Sequence, residues 1–151
     1  MDLPSELSNS FWLQICAAVL CGAIVGIERQ IRRKPAGIRT SILICLGTQV
    51  FVYLGTGLAG PSADPTRVLG QVVTGVGFLG AGVILARGEA VIGVTSAAVI
   101  WVLAAIGASI GLGHVIEAFV LSFIAVAVLT GVRQLERVFA QLRRGSDEPD
   151  S

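Results

Sequence analysis

Along this chain the polar residues come in short groups, and the apolar residues come in long runs between them. Five runs stand out, at 11–27, 41–59, 68–86, 95–112 and 115–132. Most approach the roughly 20 residues that a helix needs to cross about 30 Å of hydrocarbon. The first and fourth are shorter, but neither carries a polar face for water. The pattern predicts an all-α membrane protein of about five transmembrane helices. They form one domain over 1–132, followed by a short cytoplasmic tail at 133–151 whose end, "GSDEPDS", is acidic and read as disordered.

Composition agrees. The chain is 54% hydrophobic and 14% charged, with mean hydropathy +0.81, whereas a soluble domain carries about 25% charged residues. The N-terminal segment holds Asp2 and Glu6 but no Lys or Arg. It therefore lacks the positive start of a secretory signal, and the first run reads as a retained span.

Charge sets an expected orientation. With five spans, the loops alternate sides. One side collects Arg29, Arg32, Arg33, Lys34, Arg39, Arg87, Arg133, Arg137, Arg143 and Arg144, and the other holds Arg67. Ten cations against one put the N-terminus outside and the C-terminus in the cytoplasm. The basic groups suit contact with anionic lipid. They lack the aromatic interleaving of a nucleic-acid surface, so no nucleic-acid partner is expected.

The third run is dense in glycine: "QVVTGVGFLGAGVIL" has four in fifteen positions. In lipid, small residues let helices approach closely. On a helical wheel Gly70, Thr74, Gly77 and Ala81 form one stripe, and Gln71, Gly75, Phe78 and Gly82 form a second. Leu69, Val72, Val73, Val76, Val83 and Ile84 cover the bulky remainder. Two small faces place this span, with Gly80, at the expected centre of the bundle, its fatty side turned to bulkier packing or lipid.

Runs one and two share a weak pattern with runs three and four. "GAIVG" at 22–26 parallels "GAGVI" at 80–84, and "TS" at 40–41 parallels "TS" at 95–96, at offsets of 58 and 55. Either this is a parallel repeat, of the kind that frames sites in transporters, or small-residue spans resemble one another by chance. The paired Thr-Ser steps suit N-caps of the second and fourth helices. Glu28 lies at the inner end of the first span, where it has two readings. One is an interfacial ion pair with Arg39, or with Arg32 at i,i+4. The other is a polar pocket of Glu28, Arg39, Thr40, Gln71 and Thr95. The ion pair is the simpler reading.

The remaining polar residues carry less. Asp64 and Arg67 flank an external turn. His114 and Glu117, at i,i+3, read as an exposed pair, and they fall short of the three or four ligands of a zinc site. Trp101, mid-span, reads as helix packing. Cys16, Cys21 and Cys45 read as small buried residues. Neither a metal site nor a cofactor is expected.

Three segments, "GAIVGIERQIRRKPAGIRTSILICLG", "DPTRVLGQVVTGVGFLGAGVIL" and "GVTSAAVIWVLAAIG", resemble the membrane domain of the MgtC/SapB family, in order, from 22 to 113. The resemblance implies a bacterial inner-membrane protein of about five spans. Its relatives are linked to growth at low magnesium, survival in macrophages and restraint of the ATP synthase. The matching motif residues are Glu28, Arg39, Thr40, Arg67, Gln71, Gly75, Gly77, Phe78, Gly80, Gly82, Thr95 and Trp101. Well-known members continue into a soluble domain, whereas this chain stops about twenty residues after its last run, as the shorter SapB-like form would.

Two functions follow as expectations. One is a regulator or adaptor that grips another inner-membrane complex, itself a homo-oligomer of dimer size or larger. The other is an oligomeric transporter or channel for a small solute or cation (Mg²⁺ or H⁺). No triad, metal cluster or phosphate loop points to an enzyme.

Overall fold

The computed structural model describes residues 5–58, 64–87 and 90–145. Five helices make up almost all of it: α1 (Ser5–Ile31), α2 (Ile38–Leu58), α3 (Pro65–Ala81), α4 (Val94–Gly111) and α5 (Val115–Gly145). A short antiparallel hairpin, β1 (Leu85–Arg87) with β2 (Ala90–Ile92), joins α3 to α4, with Leu85 opposite Ile92. The protein is an all-α membrane protein. Four helices are long and apolar enough to cross a bilayer, over Asn9–Ile31, Ile38–Gly57, Val94–Gly111 and Val115–Leu135. At 17 residues, α3 is about one turn short of the usual span.

The core is built by α1, α2, α4 and α5. Ala17, Ala18, Cys21 and Val25 of α1 meet Cys45 of α2, Leu103, Ile106 and Ile110 of α4, and Ala118 of α5. Trp12, Leu13, Leu20, Leu43, Phe51, Phe123 and Ile124 are exposed around the outside, as lipid-facing residues of a membrane protein are.

Two pairs of glycines bring three backbones together. A Cβ on Gly22 would lie 2.7 Å from Ile42 Cα, and one on Gly26 would lie 2.6 Å from Ile38 Cα. From the other side, a Cβ on Gly107 would collide with the Cys45 carbonyl oxygen, and one on Gly111 would lie 2.8 Å from that of Gln49. Both pairs have four-residue spacing, which puts them on one face of their helix. So α2 is clamped between α1 and α4, and α4, the most buried of the described spans, is central.

This corrects the expectation that the third span is central. Its small faces look outward: Gly70, Gly75 and Gly77 have open space where a side chain would be, and Gln71, Thr74, Ala81 and Gly82 are exposed. Phe78 is 81% exposed. The bulky face turns inward instead, with Val76 packed on Ile100 and Ala104, and Val72 and Val83 beside it. Only one end of the glycine series makes a close helix contact, where Gly80 lies against Ala97. The physical reason lies in α4, which offers α3 the small residue Ala104 for the larger Val76 to fill. Trp101 is likewise 50% exposed, because Ile100, Leu103, Ala104, Gly107 and Ile110 take the buried face of α4. Cys16 is exposed, while Cys21 and Cys45 are buried.

Other boundaries shift. The third run reaches residue 86, but its helix ends at Ala81 and the run continues into β1. The last helix passes 132 without a break and reaches Gly145; residues 146–151 lie outside the described part. Thr40–Ser41 and Thr95–Ser96 are not N-caps. The first intrahelical bond of α2 runs from the Ser41 N–H to the Gly37 carbonyl, and α4 is capped by Gly93 without a side-chain bond. Gly93 has φ +94°, which glycine adopts without cost, and a side chain there would collide with the Val83 carbonyl.

The two helical hairpins share register. Gly22 meets Ile42 and Gly80 meets Ala97; Gly26 meets Ile38, and Gly93 meets Ile84. These pairs are related by the same offsets, 58 and 55, that relate the sequence segments. The hairpins differ in their connections: a tight turn over 32–37 joins α1 to α2, and a strand pair joins α3 to α4.

Two outcomes test this description. Gly22→Ala and Gly107→Ala, which press a methyl onto a neighbouring backbone, should each cost on the order of 1–3 kcal/mol. Gly75→Ala and Gly77→Ala should be close to neutral in detergent unfolding. At the far end of α3, the Asp64 carboxylate accepts from the Thr66 hydroxyl and, at 2.9 Å, from its N–H. Those bonds hold its pKa below the usual carboxylate value. The folded value being the lower one, this cap acts above the unfolded carboxylate pKa and is lost as pH falls through the folded value. The protection of the Thr66 and Arg67 amides against exchange, relative to the intrinsic rate at each pH, should therefore fall on acidification, and Asp64→Ala should show the lower protection already at neutral pH.

Candidate functional site at the basic end of the bundle

The last turns of α1 bury charge. Along α1 the buried positions are Gln14, Ala17, Ala18, Cys21, Val25, Glu28 and Arg29, a spacing of threes and fours that defines one helical face. The stripe thus runs from apolar residues directly into an acid and a base. Glu28 is 8% exposed and Arg29 is 3% exposed. Burying such groups is costly unless each is paired.

The pairing is incomplete. Glu28 Oε1 bonds the Arg32 guanidinium one turn on, so the simple i,i+4 reading is the geometry found. An Nη of Arg29 donates to Ser96 Oγ at 2.5 Å and reaches the Pro35 carbonyl at 3.5 Å. Glu28 Oε2 and Arg29 Nε are buried without a hydrogen-bond partner among the described residues. The Arg29–Ser96 bond ties the end of α1 to the first turn of α4.

Both groups line a cavity of about 670 Å³ between the end of α1, the β1–β2 hairpin, the start of α4 and the middle of α5. Arg32, Arg33, Lys34 and Arg133 line it too, as do Thr95 and Ser96, while Val83, Leu85, Val91, Val128 and Leu129 supply an apolar wall. Among the described residues, no three of His, Cys, Asp and Glu gather where they could hold a metal ion.

The five residues grouped as a polar pocket do not come together. Glu28 and Thr95 share this cavity. Arg39 and Thr40 line a second recess of about 540 Å³ with Gln30 and Gly37. They face away because Ile38 and Ser41, on either side of them, are the residues that meet Gly26. Gln71 is exposed on α3, since Val72 and Val76 take the inward side. Asp64 and Arg67 are exposed at the start of α3. His114 and Glu117 form an exposed pair at 3.4 Å.

Sequence reasoning missed Arg29, Ser96 and Arg133 as a group, having counted the arginines as a topology signal and a contact with anionic lipid. The buried stripe of α1 was the signal that placed Arg29 inside. It also missed Gln14, whose Oε1 accepts from Gln49 Nε2 at 3.0 Å deep between α1 and α2. Gln49→Leu should cost about 1–3 kcal/mol by leaving the Gln14 amide unpaired, and adding Gln14→Leu should recover most of it; chemical unfolding of the three variants in detergent reads this out.

Comparison with known proteins places the chain in a family. The MgtC family model matches residues 15–138. Protein MgtC of Brucella abortus is 40% identical over 137 residues, covering 89% of this chain and 57% of that protein. The protein of Escherichia coli K12 named "Putative magnesium transporter YhiD" is 50% identical over 106 residues, 66% of this chain and 49% of that protein. Protein MgtC of Salmonella typhimurium is 39% identical over 130 residues, 86% and 55% respectively. This chain therefore spans about half the length of the curated relatives it matches. No solved structure matches it. With a family match over most of its length and relatives at 39–50% identity, the chain belongs to the MgtC family.

Proposed function

We propose that this chain is a bacterial inner-membrane regulator that grips another membrane complex through α3, in a process linked to low-magnesium adaptation or virulence, and that it is not an enzyme. The observation that carries the reading is the outward glycine surface of α3. Gly70, Gly75 and Gly77 open onto empty space beside the exposed Gln71 and Phe78. A lipid-facing helix gains nothing from small residues, but a helix that receives another helix does. The same surface suits a second copy of the chain, so a homo-oligomer belongs to the proposal. By the excess of cations at the end where α1 finishes, that end is cytoplasmic and the N-terminus is outside.

The second reading, an oligomeric transporter of a small solute or of Mg²⁺ or H⁺, draws on the printed name of YhiD and on the unpartnered oxygen of Glu28. Two features weigh against it. Mg²⁺ favours octahedral oxygen ligation, and Glu28 is a single carboxylate among cations. The middle of the bundle is filled by Cys21, Val25, Cys45, Leu103 and Ile106, each fully buried.

Reconstituted alone in vesicles, the folded protein should carry neither Mg²⁺ nor protons. Gly77→Leu should abolish the protein's effect on growth at low magnesium while leaving its detergent stability within about 0.5 kcal/mol of the parent. Flux that disappears in Glu28→Gln would overturn the regulator reading in favour of the transporter.

A further inference from the structure

The cavity at the basic end has features that neither a topology signal nor a helix-packing surface requires. Five cations, Arg29, Arg32, Arg33, Lys34 and Arg133, line it against one acid, Glu28. Like charges confined in one cleft repel, and a bound counter-ion relieves that repulsion. The acid is already engaged with Arg32, which leaves the remaining cations without an anionic partner among the described residues.

The start of α4 opens onto the same space. Its first intrahelical bond runs from the Ala97 N–H to the Gly93 carbonyl, so the N–H groups of Val94, Thr95 and Ser96 precede the helical ladder. The cap residue is Gly93, which has no side chain to satisfy them. An α-helix of 18 residues presents partial positive charge there. Ser96 Oγ accepts from Arg29, and its own O–H remains a donor. Independently of the helix end, Arg29 is 97% buried by its 3% exposure, and its Nε carries a proton that no group among the described residues accepts. A buried guanidinium with a free edge beside uncapped N–H groups is the donor set that binds tetrahedral oxyanions.

We propose that this cavity binds a phosphate group, held by Arg29, Arg133 and the first turn of α4. The phosphate is either that of an anionic lipid headgroup or that of a soluble phosphate compound. Leu85, Val91, Val128 and Leu129 wall the cavity beside the cations, so a ligand with an apolar portion next to its phosphate fits. The site is independent of the outward face of α3: it binds its anion whether the chain acts as a regulator or as a transporter.

The test uses the full-length purified protein. Its thermal unfolding is followed in uncharged detergent with inorganic phosphate, against chloride at equal ionic strength. It is then followed in phosphatidylcholine nanodiscs with and without phosphatidylglycerol. Arg29→Gln should abolish the stabilisation, and Arg133→Gln, at a half-buried position on the cavity wall, should weaken the apparent affinity about tenfold. Glu28→Gln, which removes the one negative charge, should tighten binding. Should Arg29→Gln fail to fold, Arg133→Gln and Glu28→Gln carry the comparison with opposite signs. Stabilisation by inorganic phosphate identifies a soluble source. Stabilisation by phosphatidylglycerol alone, lost in the same variants, identifies the lipid. The proposal is overturned if neither exceeds its control, if the arginine variants bind as the parent does, or if Glu28→Gln weakens binding.

Discussion

The structure depends on how closely α2 can be approached from both sides. Inside a membrane the helices gain little by hiding apolar surface from equally apolar lipid, so contact has to come from backbone proximity. Gly22 and Gly26 on one helix, with Gly107 and Gly111 on another, supply it. Each pair removes the side-chain layer that normally separates helices. Once α1 and α4 are seated against α2, their ends are fixed relative to one another. The end of α1 and the start of α4 meet at the basic end, and Arg29 finds Ser96 across 67 residues of sequence.

A chain assembled in this way separates two kinds of surface. Among the described residues, buried charge is confined to the basic end, where Glu28 and Arg29 lie at the rim of the apolar core. Buried ions of this kind contribute little net stability, because losing water offsets much of what the pairing returns. The small-residue surface of α3 lies on a different side and opens outward, while the bulky face of α3 packs on α4. Packing inside the chain therefore uses the glycines of α1 and α4 and leaves most of those in α3 unused.

Much of this was legible in the sequence, and the failures share a cause. Apolar runs and low charge identify a membrane protein because the solvent imposes both. The number of helices followed, and so did the Glu28–Arg32 pair, which local spacing alone places in reach. The role of the glycines did not follow. A small face is as compatible with an absent partner as with a present one, and the Gly-rich run at 70–82 drew attention from the sparser "GAIVG" and "GASIG". The hairpin at 85–92 was hidden because Val83, Ile84 and Leu85 read equally as the end of a helix or the start of a strand. Arg29 was readable: it continues the stripe of Gln14, Ala17, Cys21 and Val25, but its charge suggested an interfacial position rather than a buried one.

The length of α5 has a mechanical consequence. At 31 residues the helix is about 46 Å long at 1.5 Å per residue, well beyond the hydrocarbon thickness. Ten residues follow its membrane-crossing portion, which ends at Leu135, and the backbone turns remain continuous to Gly145. Val128, Leu129 and Arg133 of the same helix form one wall of the basic cavity. The projecting turns and that wall are thus parts of a single rod. A sideways force applied to the far end is delivered to the cavity as a tilt, with the core around Ala118 and Ser122 as its fulcrum.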